Sequence, residues 1–276
     1  MTTARQIHSE LRPLAITAGQ DFLAGLQRWD VFTRLGWFEV KRRYRRTIIG
    51  PFWGTLNLAV FVIALGTVGG GLLNKNFSEY LPFLAAGMIV WVFISTVFSE
   101  SCTLFVASQS LFRQMQFSYS TLSYALVWRN IIAFMHNITV YFAAIVLFVP
   151  HIITSWTLLA IPGMMIMALN GVWISLLLGM ICLRFRDLQQ LVATFIQIAM
   201  FITPVFWPPE SLEGVRRLVF VELNPLYSLI EVVRAPLLGT PPNVLVYATA
   251  GVFTIAGWAV TAVFFRHFRK RIAYWA

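Results

Sequence analysis

The sequence predicts an all-α membrane protein with six transmembrane helices. Of its 276 residues, 58% are hydrophobic and 12% charged, whereas soluble domains carry about a quarter charged residues. Six apolar runs contain no Asp, Glu, Lys or Arg, and each approaches the ~20 residues that cross about 30 Å of hydrocarbon as a helix. Basic residues crowd the flanks of the first and last runs, the placement that marks a cytoplasmic membrane face.

Residues 1–50 read as a cytoplasmic N-terminal segment. Within it, Phe22, Leu26, Trp29 and Phe32 recur at helical spacing, with Arg28, Asp30 and Arg34 on other faces. The stretch 22–38 is therefore expected to be an amphipathic helix in the membrane interface, with Trp29 and Trp37 at headgroup depth; a solvated helix packed on a partner is the other reading. Glu10, Arg12 and Asp21 interrupt the first apolar residues, so no cleaved signal peptide is expected.

The spans follow at 52–73, 81–98, 131–149, 157–183, 188–207 and 244–265, giving a transmembrane domain over 51–265 and a basic tail over 266–276. An even number of crossings returns both termini to the cytoplasm. Of the 21 basic residues, all but Lys75, Arg216, Arg217 and Arg234 then fall on the inner side.

Two connections carry information. In the inner one, Gln109, Leu111, Phe112, Arg113, Gln114 and Met115 belong to a short helix at about 108–118 whose apolar residues share a face, suited to docking on a soluble subunit. An ordinary surface loop fits the same pattern. The outer connection holds two amphipathic stretches, Leu212, Val215 and Val219, then Leu226, Ile230, Val233 and Leu237, divided by Asn224 and Pro225. Both are too short to span, so re-entrant or interfacial helices are expected over about 208–238, as a lid over a pore or as a simple hairpin.

Several function classes are excluded. Lys41, Lys75 and Lys270 follow Val40, Asn74 and Arg269, so there is no Gly-Lys pair and no phosphate-cradling P-loop. None of the 11 acidic residues lies in an apolar run, which leaves His136 and Asn137 as the polar candidates in a span and no carboxylate to carry an ion. A membrane His is more often a hydrogen-bonded packing residue than a proton relay. HExxH and GxSxG are absent and the four histidines are scattered, so no enzyme site emerges. Cys102 and Cys182 form no CxxC pair or zinc spacing, and no disulfide is expected. The net charge of +10 is concentrated beside membrane spans rather than in a nucleic-acid-binding stripe.

Phe52, Trp53, Phe61, Phe195 and Phe201 are candidates to line a conduit, because aromatic faces stack on the apolar faces of sugar rings. Lipid contact and packing account for most other span aromatics.

The stretch Arg43-Tyr44-Arg45-Arg46-Thr47-Ile48-Ile49-Gly50-Pro51-Phe52-Trp53 resembles the start of the first span in membrane subunits of polysaccharide ABC exporters. The resemblance continues through Ser78-Glu79-Tyr80-Leu81-Pro82, Leu126-Val127-Trp128-Arg129-Asn130 with His136-Asn137, Arg184-Phe185-Arg186-Asp187, and Asn224-Pro225-Leu226 with Arg234. Each motif is weak alone; their order over nearly the whole chain after residue 30 is specific, and it is most similar to exporters of O-antigen and related lipid-linked glycans.

The resemblance implies an ABC-2 type exporter fold, a homodimer of six-span subunits in the bacterial inner membrane, and two copies of an ABC ATPase subunit that binds the ATP and Mg. No cofactor is implied for this chain. Gln109 to Phe117 would be the ATPase-coupling helix. Trp37, Arg42, Arg43, Tyr44, Arg45 and Arg46 would border the substrate entrance, where the arginines orient the protein, bind anionic lipid, or attract a pyrophosphate-lipid headgroup. Arg184, Arg186 and Asp187 would fix a tight inner turn, and Asn224, Pro225 and Arg234 would belong to the outer gate. The implied function is export of a lipid-linked polysaccharide, with a drug or small-lipid ABC-2 exporter as the alternative and a membrane-embedded transferase as a more remote one.

Overall fold

The computed structural model describes residues 17–73, 75–109, 118–149 and 152–275, and among them every regular element is helical. Helix α1 (Ala18–Gln27) begins in a capping box: the Gln20 N–H donates to Thr17 Oγ1 at 3.3 Å, and the Thr17 N–H donates to Gln20 Oε1 at 3.0 Å. Arg28 then leaves helical geometry at φ −89° and ψ 49°, and α2 (Trp29–Tyr44) starts anew. The single helix expected over 22–38 is thus two. The break divides its apolar stripe. Phe22 packs on Trp258 and Phe265, with ring centroids 5.3 and 5.2 Å away, and Phe32 packs on Tyr124, whereas Leu26 and Trp29 are exposed.

Among the described residues, five helices are long and apolar enough to cross a membrane. They are α3 (Phe52–Leu72), α4 (Phe77–Ser101), α6 (Tyr119–Phe148), α7 (Ala160–Arg184, entered through a 3-10 turn at Ser155–Leu159) and α11 (Val244–Trp275). A single turn, α5 (Leu104–Ala107), follows α4. Helices α4 and α7 occupy the centre, with most of their residues buried, while α3, α6 and α11 present more surface outward.

Three boundaries differ most from the sequence reading. Helix α6 begins at Tyr119, well before the apolar run, because its first turns pack against α1 and α2. Helix α11 runs unbroken through the basic residues to Trp275, so the segment expected as a tail is its last turns. Where a span was expected over 188–207, α8 (Leu188–Ile202) has 15 residues, and the chain turns at Thr203 and Pro204.

The outer connection forms a 3-10 turn at Pro209–Ser211, a short α9 (Gly214–Arg217) continued by a π-turn at Leu218–Glu222, and α10 (Pro225–Leu237). Asn224 caps α10, accepting the Leu226 and Tyr227 N–H groups at 3.0 and 3.3 Å, and Pro225 supplies a preset first position. From Leu226 to Leu237 only Glu231 escapes full burial, so α10 is inserted among α4, α7 and α11. A glycine makes that insertion possible: a Cβ at Gly163 would lie 2.2 Å from the Val232 carbonyl oxygen, while Gly87 admits the turn that ends α8, a Cβ there lying 2.6 Å from the Val205 carbonyl oxygen.

Candidate functional site

A cluster of ion-paired, mostly half-buried side chains lies where α2, α4 and α6 converge. Glu39 and Arg43 share one face of α2, four residues apart. Glu100 comes from the last turn of α4, and Arg129 with Asn130 from the early turns of α6. Arg43 Nη2 is ion-paired with Glu100 Oε1, and Arg129 Nη1 with Glu39. Arg129 Nη2 reaches Glu100 Oε2 at 2.5 Å, and Asn130 Nδ2 donates to the same oxygen at 3.1 Å. Glu100 therefore bridges two guanidinium groups. Burial opposes the charge on Arg43, but the Glu100 carboxylate outweighs it, and the Arg43 pKa is raised above the ordinary guanidinium value.

This network borders a cavity of about 500 Å³. Arg43 and Tyr44 line it from α2, Asn57 and Phe61 from α3, and Arg129, Asn130, His136 and Asn137 from α6; Met88, Phe93 and Phe134 make its wall apolar. Thr55 donates to Asn137 Oδ1 at 3.1 Å. His136 Nδ1 lies 2.8 Å from the Ile132 carbonyl oxygen and so carries a donated proton, and Phe52 sets its ring against His136 at 5.2 Å. The cavity lining thus combines an ion-paired arginine cluster with an apolar wall, a composition suited to an amphiphile. A second cleft of about 290 Å³, between α6, α7 and α10, is lined by apolar side chains such as Ile131, Met135, Ile161 and Met165.

A second node ties the N-terminal and C-terminal helices together. Asp21 is fully buried; its carboxylate accepts from the Ser120 N–H at 3.0 Å and Ser120 Oγ at 2.9 Å, and from Arg269 Nε and Nη2 at 3.0 and 2.9 Å. Tyr124 adds a bond to the Phe22 carbonyl at 3.2 Å. At the opposite end of the bundle Arg234, also fully buried, donates to Glu231 through Nε at 2.8 Å and to the Pro204 carbonyl at 2.7 Å, and stacks 4.5 Å over the Phe83 ring. Arg234 thereby fastens α10 to the turn that ends α8.

The structure distributes the residues singled out in the sequence. Arg43, Tyr44 and Phe61 meet at the cavity, whereas Arg42, Arg45 and Arg46 are exposed and Trp37 is exposed beneath Lys41 Nζ at 5.7 Å. Phe52 and Trp53 are half exposed, and Phe195 and Phe201 lie on the open face of α8, outside the cavity lining. Arg184 stacks over Phe185 and Trp275 at 5.4 and 5.9 Å, while Arg186 and Asp187 are exposed. Asn224, Pro225 and Arg234 act on α10 as described. Gln109 is half-buried; Leu111, Phe112, Arg113, Gln114 and Met115 lie outside the described residues.

Sequence reasoning missed Glu39 and Glu100 as partners of Arg43 and Arg129, and Asp21 as the partner of Arg269. The spacing of Glu39 and Arg43 was the one available signal. It also left Cys102 and Cys182 apart; both are buried free thiols, brought within hydrogen-bonding reach at the ends of α4 and α7.

A family model described as ABC-2 type transporter matches residues 30–238. An O-antigen export system permease protein RfbA from Myxococcus xanthus is 22% identical over 230 residues, covering 82% of this chain and 88% of the relative. A Klebsiella pneumoniae protein of the same name is 23% identical over 234 residues, covering 80% and 87%. The match extends from α2 through α10 and includes the cavity, its ion-pair network and the inserted helix. This chain belongs to the ABC-2 type transporter family.

Proposed function

We propose that this protein is the channel-forming subunit of an ATP-driven exporter that moves a lipid-linked, O-antigen-like polysaccharide from the cytoplasmic to the outer face of the bacterial inner membrane. The observation that carries the reading is the cavity lined by ion-paired arginines and an apolar wall, in a chain similar over about four-fifths of its length to O-antigen export permeases. The end bearing Arg43, Arg129, Arg184 and Arg269 is the cytoplasmic one, in line with the side preference of basic residues. Helices α1 and α2 then lie at the membrane interface, with Trp29, Trp37 and Phe38 directed outward.

In this reading α8 is the short fifth of six crossings. Its 15 residues reach about 22 Å, and the turn at 203–207 together with α10 completes the outer half. Two copies of the subunit enclose the conduit. The chain has no nucleotide-binding motif, so two ATPase subunits, holding ATP and Mg, supply the work through the segment at about 108–118. Helix α10, pinned by Arg234, serves as the outer gate.

Deleting the gene and fractionating the membranes tests the assignment. Lipid-linked glycan should accumulate on the cytoplasmic leaflet, and normal glycan on the cell surface would refute export by this protein.

A further inference from the structure

Every charge of the cluster at the cavity is already neutralised: Arg43 and Arg129 face Glu39 and Glu100, two cations against two anions. An anionic ligand approaching the cavity meets a cluster with no net charge to offer. Yet Glu100 is placed as a ligand's oxyanion would be. One oxygen is paired with Arg43, the other with Arg129 at 2.5 Å and Asn130 at 3.1 Å, so a single carboxylate bridges two guanidiniums and an amide as a phosphate group does. Its side chain is 19% exposed and that of Arg43 49% exposed, so both partners can be reached from outside the protein. Arg129 keeps Glu39 when Glu100 departs, which leaves the cluster with one surplus positive charge, centred on Arg43.

We infer that Glu100 is a built-in competitor that holds the arginine pair until a phosphate-bearing membrane amphiphile displaces it. The chemistry matches the cavity: phosphate oxygens take the guanidiniums and the Asn130 amide, and the chain lies along the apolar wall beside Phe61, Met88, Phe93 and Phe134. Exchange of partners admits an anion without burying an unpaired one, which would be costly. The displaced Glu100 lies in the last turn of α4, so arrival of a headgroup loosens α2 and α6 from the end of α4. This inference rests on the export reading for the physiological identity of the ligand; the site itself is defined by this chain's residues.

The test is binding to the full transporter complex in micelles of a maltoside detergent, which carries no phosphate, with a fluorescent polyprenyl diphosphate as probe and inorganic pyrophosphate measured separately. Glu100→Gln should bind the lipid probe about tenfold tighter than the unaltered protein, the size of one charge-assisted hydrogen bond lost to the competitor. Arg43→Gln should weaken binding about tenfold or more and should abolish the gain when combined with Glu100→Gln. Should Glu100→Gln fail to assemble, Glu100→Asp, which keeps the charge but shortens its reach, should show a smaller gain. Equal or weaker binding by an assembled Glu100 variant overturns the inference, and so does a gain seen with free pyrophosphate but not with the lipid. Export is scored separately: a binding gain in a protein that exports no glycan would sink the functional reading and leave the Glu100 exchange standing.

Discussion

Replacing Arg129 by Met is the most demanding test of the packing account. Arg129 holds Glu39 through one terminal nitrogen and Glu100 through the other, and the three side chains are only 15%, 21% and 19% exposed. Removing one partner from a fully buried ion pair costs about 3–5 kcal/mol, while an exposed pair contributes about 0–1 kcal/mol. These side chains lie nearer the buried limit, and Glu100 keeps Arg43, so roughly 2–4 kcal/mol is expected. At roughly 2–4 °C per kcal/mol for a chain of this size, the unfolding midpoint should fall by roughly 4–16 °C. Tryptophan fluorescence in nanodiscs, at one scan rate because membrane proteins unfold irreversibly, reads the shift. Adding Glu39→Gln to Arg129→Met should recover part of it, since the orphaned Glu39 carboxylate carries much of the cost. A shift below about 2 °C for Arg129→Met would refute the claim that this network holds α2, α4 and α6 together.

The inserted helix gives further predictions. Arg234→Met leaves Glu231 and the Pro204 carbonyl without their donor; export should fall and protease sensitivity near residue 204 should rise, with thermal stability lowered by about 3 kcal/mol or more. Gly163→Ala pushes a methyl group against the Val232 carbonyl; a loss of about 1–3 kcal/mol is expected in the same fluorescence assay, and an unchanged midpoint would argue against the seating of α10. Met115→Glu, in the segment assigned to coupling, should leave membrane insertion intact while export per ATP hydrolysed falls; unchanged export would remove that assignment.

The parts of the fold that were legible are those the membrane dictates. A run of apolar residues must be helical and must end near charge, so α3 starts at the expected Phe52 and ends one residue from expectation. What lay beyond the apolar runs was less visible. The early turns of α6 carry Ser120, Thr121, Ser123 and Arg129, a polar composition that looks like a connection until α1 and α2 are seen to bury it. The last turns of α11 are rich in arginine, which mimics a loose tail although Arg269 is fixed by Asp21. The break at Arg28 has no Gly or Pro to announce it.

The site was legible in its residue types and hidden in its pairings. Arg43 and Tyr44 stood out because they flank the first span, and Phe61 because it lies within it. Their partners are set by long-range packing: 57 residues separate Arg43 from Glu100, and 248 separate Asp21 from Arg269. No local period encodes such contacts. The burial of α10 likewise depends on Gly163 facing it, which spacing within residues 225–237 cannot reveal.

On the proposed function, the work for transport enters this subunit from another protein. This is tested most directly in sealed proteoliposomes loaded with lipid-linked glycan, comparing the subunit alone with the subunit plus its ATPase and ATP. Glycan should cross only when both proteins and ATP are present, and uphill movement by the subunit alone would contradict the account.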